Sequence, residues 1–432
     1  MRVASLARAA VTAGALTVLT AAPALAQTAK IDPADTAWMI AATALVLMMS
    51  IPGLALFYAG MVRKKNVLAT MAQTLAVTAV CSLLWAVVGY SLAFYGDGLA
   101  LGTLGRLMLG GMTTMTISPF APTIPEALFM IYQMTFAVIT VALVAGSVAD
   151  RMRFSTFMWF AALWLLVVYV PIAHWVWGGG FLYAAGVLDF AGGTVVHLNA
   201  GVAGLVAALV IGARYGYGSD NFAPYDLALA VIGTGMLWVG WFGFNGGSAL
   251  AANSRAVFAI VATHLAASTG AVTWMALEWW KRGKPSVLGM ISGAVAGLGT
   301  ITPASGFVEP WQGIVIGLAA GLICFWSCTW LKLACGYDDS LDVFGVHGVG
   351  GATGTLLTGV FAAPAVSGAA GLLAGNAQQV LIQLYAVAVT TVWSGIATFV
   401  LLKAIAAFGP LRVNKQNEIE GLDVTQHGEA LQ

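Results

Sequence analysis

The stretch DFAGGTVVHLNAGVAGLVAALVI, residues 189–211, decides the fold of this chain. After Asp189 no Asp, Glu, Lys or Arg occurs until Arg214. A bilayer core of about 30 Å needs about 20 apolar residues per helix. The stretch therefore predicts a membrane-spanning helix near residues 192–213 that carries a titratable residue, His197, inside it.

The composition of the whole chain extends this prediction. Of 432 residues, 60% are hydrophobic and only 8% are charged, whereas soluble domains have about 25% charged residues. The net charge of +1 excludes the basic surface of a nucleic-acid-binding protein. We expect an all-α polytopic membrane protein with eleven transmembrane helices. The apolar runs lie near residues 36–60, 67–95, 126–149, 155–173, 192–213, 225–246, 255–278, 286–303, 311–334, 343–362 and 379–406.

The N-terminal segment has the pattern of a signal peptide at residues 1–26. Arg2 and Arg8 precede a short apolar run, and the stretch ALA at residues 24–26 is typical of a cleavage site. The alternative is a genuine first membrane helix. The predicted domains are therefore the signal peptide, an eleven-helix channel domain at 27–408 and a cytosolic tail at 409–432.

The distribution of Lys and Arg between the predicted loops supports this count. With the mature N-terminus outside, the inner loops and the tail side hold 13 basic residues, and the outer loops hold three, Lys30, Arg106 and Arg255. Lys and Arg accumulate on the cytoplasmic side of membrane proteins. The sequence thus predicts a multi-pass protein of the cytoplasmic (inner) membrane with a cytosolic C-terminus.

Two motifs each occur twice in the chain, and they follow each other in the same order both times. Gly-x-x-x-Phe-x-x-Gly lies at residues 53–60 and 240–247, and His-x-x-x-Gly-x-x-Gly lies at residues 197–204 and 347–354. Spans 1–5 therefore resemble spans 6–10. Because five is odd, the two halves must have opposite orientations. Such inverted repeats place the functional site of a transporter at the repeat interface, so we expect a central pore.

His197 and His347 are the principal candidates for this site. Each lies within a span, where an ionisable group is functional by default, and the repeat would bring them together near mid-membrane. Two neutral imidazoles can share a hydrogen bond. The alternative is a histidine pair that only holds helices together. His174 and His264 lie near span ends, where an interfacial role is expected.

Other residues near these spans have both a structural and a functional interpretation. An acidic residue precedes each histidine, Asp189 and Asp342, and Asp189 could cap its helix or take part in function. Trp177, beside three glycines, could form a pore mouth by cation–π contact or be an interfacial belt residue. Phe136 and Phe244 could gate a narrow pore or face the core or lipid.

Four stretches together resemble the ammonium transporter (Amt/Mep/Rh) family, and specifically its bacterial Amt members. They are DFAGGTVVHLNAG at 189–201, WFGFNGGS at 241–248, DVFGVHGVGG at 342–351, and the tail segments EGLD at 420–423 and HGE at 427–429. The resemblance covers essentially the whole mature chain, so we expect the family's fold and transport activity.

The resemblance implies a role for each matching residue on the outer side. Trp177, Phe136 and Ser248 would form an outer ammonium-recruitment site. Phe136 and Phe244 would be the stacked pore gate. Asp189 would support the recruitment region structurally.

Within the pore, the resemblance implies a twin-histidine pair, His197 and His347, with Trp241 alongside. Members of the family are homotrimers without a metal or other cofactor, and bacterial members bind a PII signalling protein at the cytosolic face. The chain would then not be an enzyme. It would take ammonium from outside, deprotonate it and conduct it as ammonia through the hydrophobic pore.

Two other function classes remain open from the sequence. The tail and a PII partner could make the protein an ammonium sensor with little transport. An intramembrane metalloenzyme using His197 and His347 would need a third ligand, and the chain has no H-E-x-x-H motif.

Overall fold

The computed structural model describes residues 29–431, so the predicted signal peptide at residues 1–26 lies outside the described residues. The described part is almost entirely helical. Its principal helices are α1 (Pro33–Met61), α2 (Lys64–Phe94), α3 (Glu126–Val148), α4 (Phe154–Ala184), α5 (Gly193–Ile211), α6 (Leu227–Gly246), α7 (Ser254–Arg282), α8 (Val287–Ile301), α9 (Gln312–Cys335), α10 (Val349–Phe361) and α11 (Gln378–Ala406).

Nine of these helices, within residues 29–431, are long and apolar enough to cross a membrane. The other two are α8, with 15 residues, and α10, with 13 residues after the π-helical turn Phe344–Gly348. Each of the eleven apolar runs overlaps one helix. The chain is therefore a multi-pass helical membrane protein, while the count of eleven spans stays a prediction.

The shorter elements lie in the connections. Between α2 and α3, the antiparallel strands β1 (Ile117–Ser118) and β2 (Ala121–Pro125) form a small hairpin. After α11, the tail contains the short helix Lys415–Glu420 and the π-helical turn Asp423–His427.

Side-chain caps define where several helices begin. Asp32 accepts hydrogen bonds from the first turn of α1, Asp226 from the first turn of α6, and Asn253 from that of α7. Asp and Asn are favoured at this position because their side-chain oxygens satisfy backbone N–H groups that lack a partner within the helix.

Glycines allow two pairs of helices to cross with their backbones in contact. A Cβ atom at Gly60 in α1 would lie 2.5 Å from the backbone nitrogen of Ala230 in α6, and one at Gly233 would lie 2.3 Å from that of Phe57. A Cβ atom at Gly201 in α5 would lie 2.2 Å from the backbone nitrogen of Gly348. Small residues at crossings are typical of membrane helix packing, and these crossings surround the site described below.

Ion pairs and backbone hydrogen bonds join the loops on the side of the tail. Arg214 pairs with Asp338 at 2.7 Å. Burial alone would raise the pKa of Asp338, but hydrogen bonds and charge from Arg214 lower it. Arg151 is fully buried and donates to the carbonyl oxygens of Gly212 and Asp338. Burial lowers the pKa of Arg151 to about 10.

The tail packs against this same surface. Arg412 pairs with Glu418 at 2.8 Å. The Asp423 carboxylate accepts hydrogen bonds from the backbone N–H groups of Leu68 and Ala69 at the start of α2. Burial raises the pKa of Asp423. The tail is thus part of the folded structure up to residue 431.

We predict that Gly201→Val destabilises the protein, because a Cβ atom there overlaps the backbone of Gly348, which cannot move without displacing the second histidine. Overpacking of this kind costs about 1–3 kcal/mol or more. Thermal unfolding of the detergent-solubilised protein should show a melting temperature several degrees lower. The matched control is Gly235→Val in α6, where a Cβ atom would contact nothing within 4 Å. Equal melting temperatures for the two variants would contradict the prediction.

Candidate functional site

Three cavities follow one another through the helical bundle. The first, which lies away from the tail and which we call the outer cavity, has a volume of about 250 Å³ and is lined by Phe136, Trp177 and Ser248 among others. A narrow cavity of about 10 Å³ is lined by Phe244, His197 and His347 among others. The inner cavity has about 260 Å³ and is lined by His347 together with charged residues. All candidate site residues from the sequence except Asp189 therefore line these three cavities.

Two phenylalanine rings separate the outer cavity from the narrow one. Phe136 in α3 lines the outer cavity, and Phe244 in α6 lines the narrow one. Their ring centroids are 4.2 Å apart and their planes differ by 26°. Trp177 packs edge-on against Phe136, with centroids 5.8 Å apart. A molecule that passes from the outer cavity to the narrow one must therefore displace these two rings.

The two histidines face each other across the narrow cavity. The Nδ1 atoms of His197 and His347 are 3.2 Å apart, and the ring centroids are 5.2 Å apart with planes 13° from parallel. The two residues are only 2% and 4% exposed. Since a neutral imidazole has one donor and one acceptor nitrogen, one Nδ1–H donates to the other Nδ1.

This shared hydrogen bond leaves the two Nε2 atoms for other partners. Nε2 of His197 is buried and has no hydrogen-bond partner among the described protein atoms. His347 lines both the narrow and the inner cavity. The rest of the narrow cavity is apolar, apart from an indole; its walls include Leu54, Ile139, Leu143, Val196, Leu237 and Val295. The imidazole pair therefore supplies most of the polar atoms of a passage with apolar walls.

Trp241 forms one wall of this passage. Its ring lies nearly parallel to that of His197, with centroids 5.6 Å apart and planes 18° apart. The indole N–H donates to Thr302 Oγ1 at 2.9 Å, and Thr302 in turn donates to the carbonyl of Leu298. The indole N–H is thus hydrogen-bonded within the protein, and the face of the indole ring lies against the ring of His197.

Asp189 caps the π-helical turn Gly193–Leu198 that begins α5. Its carboxylate accepts from the backbone N–H groups of Gly192, Gly193 and Thr194, at 2.6–2.8 Å, and from the Thr194 hydroxyl. Its backbone carbonyl accepts the Trp177 indole N–H at 2.8 Å. Asp189 therefore connects the turn carrying His197 to the ring at the outer cavity.

Asp339 makes the contact before His347 that resembles that of Asp189 before His197, whereas Asp342 does not. Asp339 lies eight residues before His347, the spacing of Asp189 from His197, and accepts from the Phe344 N–H at 2.7 Å. Burial raises the pKa of Asp339, although the charge of Lys332 opposes this. The side chain of Asp342 is instead 39% exposed and pairs with Lys332. The equal spacing was a signal available in the sequence.

Tyr132 is a further residue of the site that sequence analysis missed. Its hydroxyl lies 3.0 Å and 2.9 Å from the carbonyl oxygens of Gly243 and Phe244, and 3.4 Å from Ser248 Oγ. Ser248 donates to the carbonyl of Phe244 at 2.8 Å. Tyr132 therefore ties α3 to the turn that carries Phe244. Its position four residues before Phe136, on the same helix face, was the available signal.

The remaining histidines of the membrane region lie outside the cavities. His174 was expected at an interface, but it is fully buried, with its ring nitrogens at hydrogen-bond distance from the carbonyls of Ala93 and Gly98. His264 is exposed and accepts the Trp238 indole N–H at 3.2 Å. Within residues 29–431, no group of three or more His, Cys, Asp or Glu side chains is placed to hold a metal ion.

Comparisons with known proteins agree on one family. The model of the Ammonium Transporter Family matches residues 37–431. A "Putative ammonium transporter" of Methanothermobacter thermautotrophicus is 48% identical over 404 residues, which are 92% of this chain and 98% of the relative. An "Ammonium transporter" of Aquifex aeolicus is 49% identical over 409 residues, 94% of this chain and 95% of the relative.

Two solved structures with the same fold are described differently, one as a Mep2 protein and one as a sensor. The crystal structure of Saccharomyces cerevisiae Mep2 has a TM-score of 0.84 and 38% identity, covering 91% of this chain and 90% of that one. A structure described as "Sensor Amt Protein" has a TM-score of 0.84 and 28% identity, covering 91% of this chain and 98% of that one.

We predict that Asp189→Asn destabilises the protein by roughly 1–3 kcal/mol. Both carboxylate oxygens accept N–H or O–H groups, so an amide –NH₂ in place of either oxygen would face donors. Thermal unfolding followed by tryptophan fluorescence should report the loss. The matched control is Asp226→Asn, because that cap is exposed and Asn caps helices as well as Asp. A melting temperature unchanged in Asp189→Asn would refute a capping role.

Proposed function

This chain belongs to the Ammonium Transporter Family, and on that premise we propose that it conducts ammonium nitrogen across the cytoplasmic membrane as ammonia, through the cavity between its two histidines. The observation that carries the proposal is the imidazole pair, with Nδ1 atoms 3.2 Å apart, in a passage of about 10 Å³ with apolar walls. No carboxylate lines this passage among the described residues.

The energetics favour the neutral species in such a passage. Moving an ammonium-sized ion into a medium of low dielectric constant costs on the order of 20 kcal/mol by the idealised Born estimate, and several kcal/mol in real proteins. Deprotonating an amine whose pKa lies about three units above pH 7 costs roughly 4–5 kcal/mol. Losing the proton is therefore the easier route.

The proposed sequence begins in the outer cavity. The cation binds there against the ring of Trp177, near Phe136 and Ser248; cation–π contacts contribute about 0.5–2 kcal/mol. One N–H bond then breaks, and the electron pair stays on nitrogen. The proton passes either to water in the outer cavity or to the imidazole pair, and only the second route carries current through the protein.

Ammonia then passes the stacked rings of Phe136 and Phe244 and reaches the histidines. Nε2 of His197 is buried without a protein partner and is available to hydrogen-bond the ammonia. Beyond His347 the inner cavity contains polar and charged side chains, where ammonia regains a proton from water. Asp189 supports Trp177 and the histidine turn without touching the guest.

We further propose that α1–α5 and α6–α10 form an inverted repeat in an eleven-span channel domain. The paired crossings of α1 with α6 and of α5 with the turn before α10 support this. So do the equal spacings of Asp189 and Asp339 from their histidines. The likeness to bacterial family members extends the proposal to a homotrimer with the N-terminus outside, the tail cytosolic, and a PII signalling protein as inner partner.

We predict that His197→Ala or His347→Ala alters the rate or the selectivity of transport. Either change removes the shared hydrogen bond and opens the narrow cavity to water, which lowers the barrier for a bare cation. In reconstituted vesicles, we expect ammonia entry, followed as internal pH change, to fall by roughly tenfold, about 1.4 kcal/mol, or a potassium current to appear.

The matched control is His264→Ala, since that histidine lies outside the three cavities and should leave rate and selectivity unchanged. Wild-type rate and potassium exclusion in both pore variants would reject the proposed mechanism.

A sensor with little transport is the second candidate function. The likeness to the structure described as "Sensor Amt Protein" supports it at 28% identity, and a tail folded against the inner loops could relay occupancy to a PII partner. We expect labelled methylammonium to accumulate in vesicles that contain the protein. Binding of methylammonium without accumulation above empty vesicles would favour the sensor instead.

A further inference from the structure

The helix α8 passes beside the two histidines. Val295, Gly299 and Thr302, the residue that follows its last turn, are four and three positions apart and so share one face of the helix. Val295 lines the narrow cavity, and Thr302 accepts the indole N–H of Trp241. Gly299 is buried and lies on the same face, so it is turned toward the site.

Gly299 faces the hydrogen bond that the two histidines share. A Cβ atom at this position would lie 3.8 Å from Nδ1 of His197 and 3.8 Å from Nδ1 of His347. The next atom, at 3.9 Å, is Cε1 of His197 and belongs to the same pair. A side chain at position 299 would therefore start from a point equidistant from the two ends of the shared bond.

Close packing does not explain the glycine at position 299. Gly293 and Gly297 of the same helix face α7, where a Cβ atom would lie 2.5 Å and 2.2 Å from the backbone oxygens of Gly270 and Ala266. At Gly299 the corresponding distance of 3.8 Å is ordinary van der Waals contact, so a methyl group would fit. Glycine is unfavourable inside a helix, and neither helix formation nor a helix crossing requires it here.

The hydrogen bonding of the pair shows what a side chain at this position would disturb. Throughout residues 29–431, the two Nδ1 atoms have only each other as hydrogen-bond partners. A neutral imidazole carries a single N–H. The ring that donates from Nδ1 therefore has an acceptor at Nε2, and the ring that accepts at Nδ1 has a donor at Nε2. The pair thus keeps one acceptor and one donor for other partners.

We infer that Gly299 is a positioning residue for the histidine pair. Because it offers no hydrogen-bonding atom to either Nδ1, the shared bond has no competitor, and the two Nε2 atoms are held in opposite roles. This inference rests on the proposed function and adds to it the residue that fixes the two tautomers. Ammonia has N–H donors and one lone pair, and it then meets an acceptor on one ring and a donor on the other.

A hydroxyl group at position 299 would remove this constraint. A hydroxyl oxygen can accept two hydrogen bonds and donate one. Both histidines could then donate from Nδ1 to this oxygen, which would make both Nε2 atoms acceptors. The lone pair of ammonia would find no donor in the passage. A methyl group at the same position has no such effect, because it neither donates nor accepts.

The test compares Gly299→Ser, Gly299→Ala and Gly299→Cys in reconstituted vesicles, with ammonium chloride as the probe and the initial rate of internal pH change as the readout. The alanine variant should transport at close to the wild-type rate. The serine variant should be roughly tenfold slower, the effect of one lost hydrogen bond. The cysteine thiol is larger than the serine hydroxyl but hydrogen-bonds more weakly, so its rate should lie between the other two.

Solid-state NMR of the same vesicles observes the pair directly. The chain has only five histidines, so isotope-labelled histidine gives few nitrogen signals. A nitrogen–nitrogen coupling across the shared hydrogen bond should be present in the wild type and the alanine variant and lost in the serine variant. Melting temperatures should be unchanged in all three. A purely structural role of Gly299 would lower the melting temperature in the alanine variant as well.

The matched control is Gly235→Ser in α6, where a Cβ atom would contact nothing within 4 Å, and it should keep the wild-type rate. Equal rates of the serine and alanine variants would overturn the inference. A cysteine variant slower than the serine variant would also overturn it, because bulk and not hydrogen bonding would then be the cause. If the serine variant fails to fold, the cysteine variant is compared with alanine instead, and equal rates would again contradict the inference.

The wild type separates this inference from the proposed function. Absence of ammonia entry in wild-type vesicles would overturn the proposed function and this inference with it. Normal entry in the wild type, together with a serine variant that equals the alanine variant in rate and in nitrogen–nitrogen coupling, would overturn this inference alone.

Discussion

The contact of two backbones, at Gly201 and Gly348, is the constraint on which the site depends. Because neither residue has a side chain, α5 and the turn before α10 approach until a Cβ atom at Gly201 would lie 2.2 Å from a backbone nitrogen. At this crossing the rings of His197 and His347, carried on the two segments, share a hydrogen bond. Both rings line the narrow cavity.

Such a crossing requires that polar backbone groups find partners without water. The π-helical turns that carry both histidines interrupt regular helical bonding, and turns of this kind occur often at functional sites. Asp189 and Asp339 accept N–H groups at the starts of these turns. Thr302 similarly occupies the indole N–H of Trp241. These backbone N–H groups and the indole N–H beside the passage are therefore bound to protein.

The polarity of the three cavities changes along the pore. The outer cavity has aromatic faces and neutral acceptors, the narrow cavity has two imidazoles in apolar walls, and the inner cavity includes Asp342, Glu278 and Arg282. In the proposed mechanism, the cation binds in the first cavity, gives up its proton before the second and is formed again beyond it.

The sequence by itself determined the membrane class, the approximate limits of the helices and the family, and it singled out His197 and His347 as candidates, because apolar length and ionisable residues within it can be read along the chain. Only the tertiary structure decided that Asp339, and not Asp342, accepts a backbone N–H group at the start of the turn carrying His347, that His174 is buried, and that Tyr132 and Thr302 contact the turn of Phe244 and the indole of Trp241. The physical reason is that helices apolar on every face show no periodicity that marks which side meets the pore. Which polar side chain finds a hydrogen-bond partner depends on contacts between helices far apart in the chain.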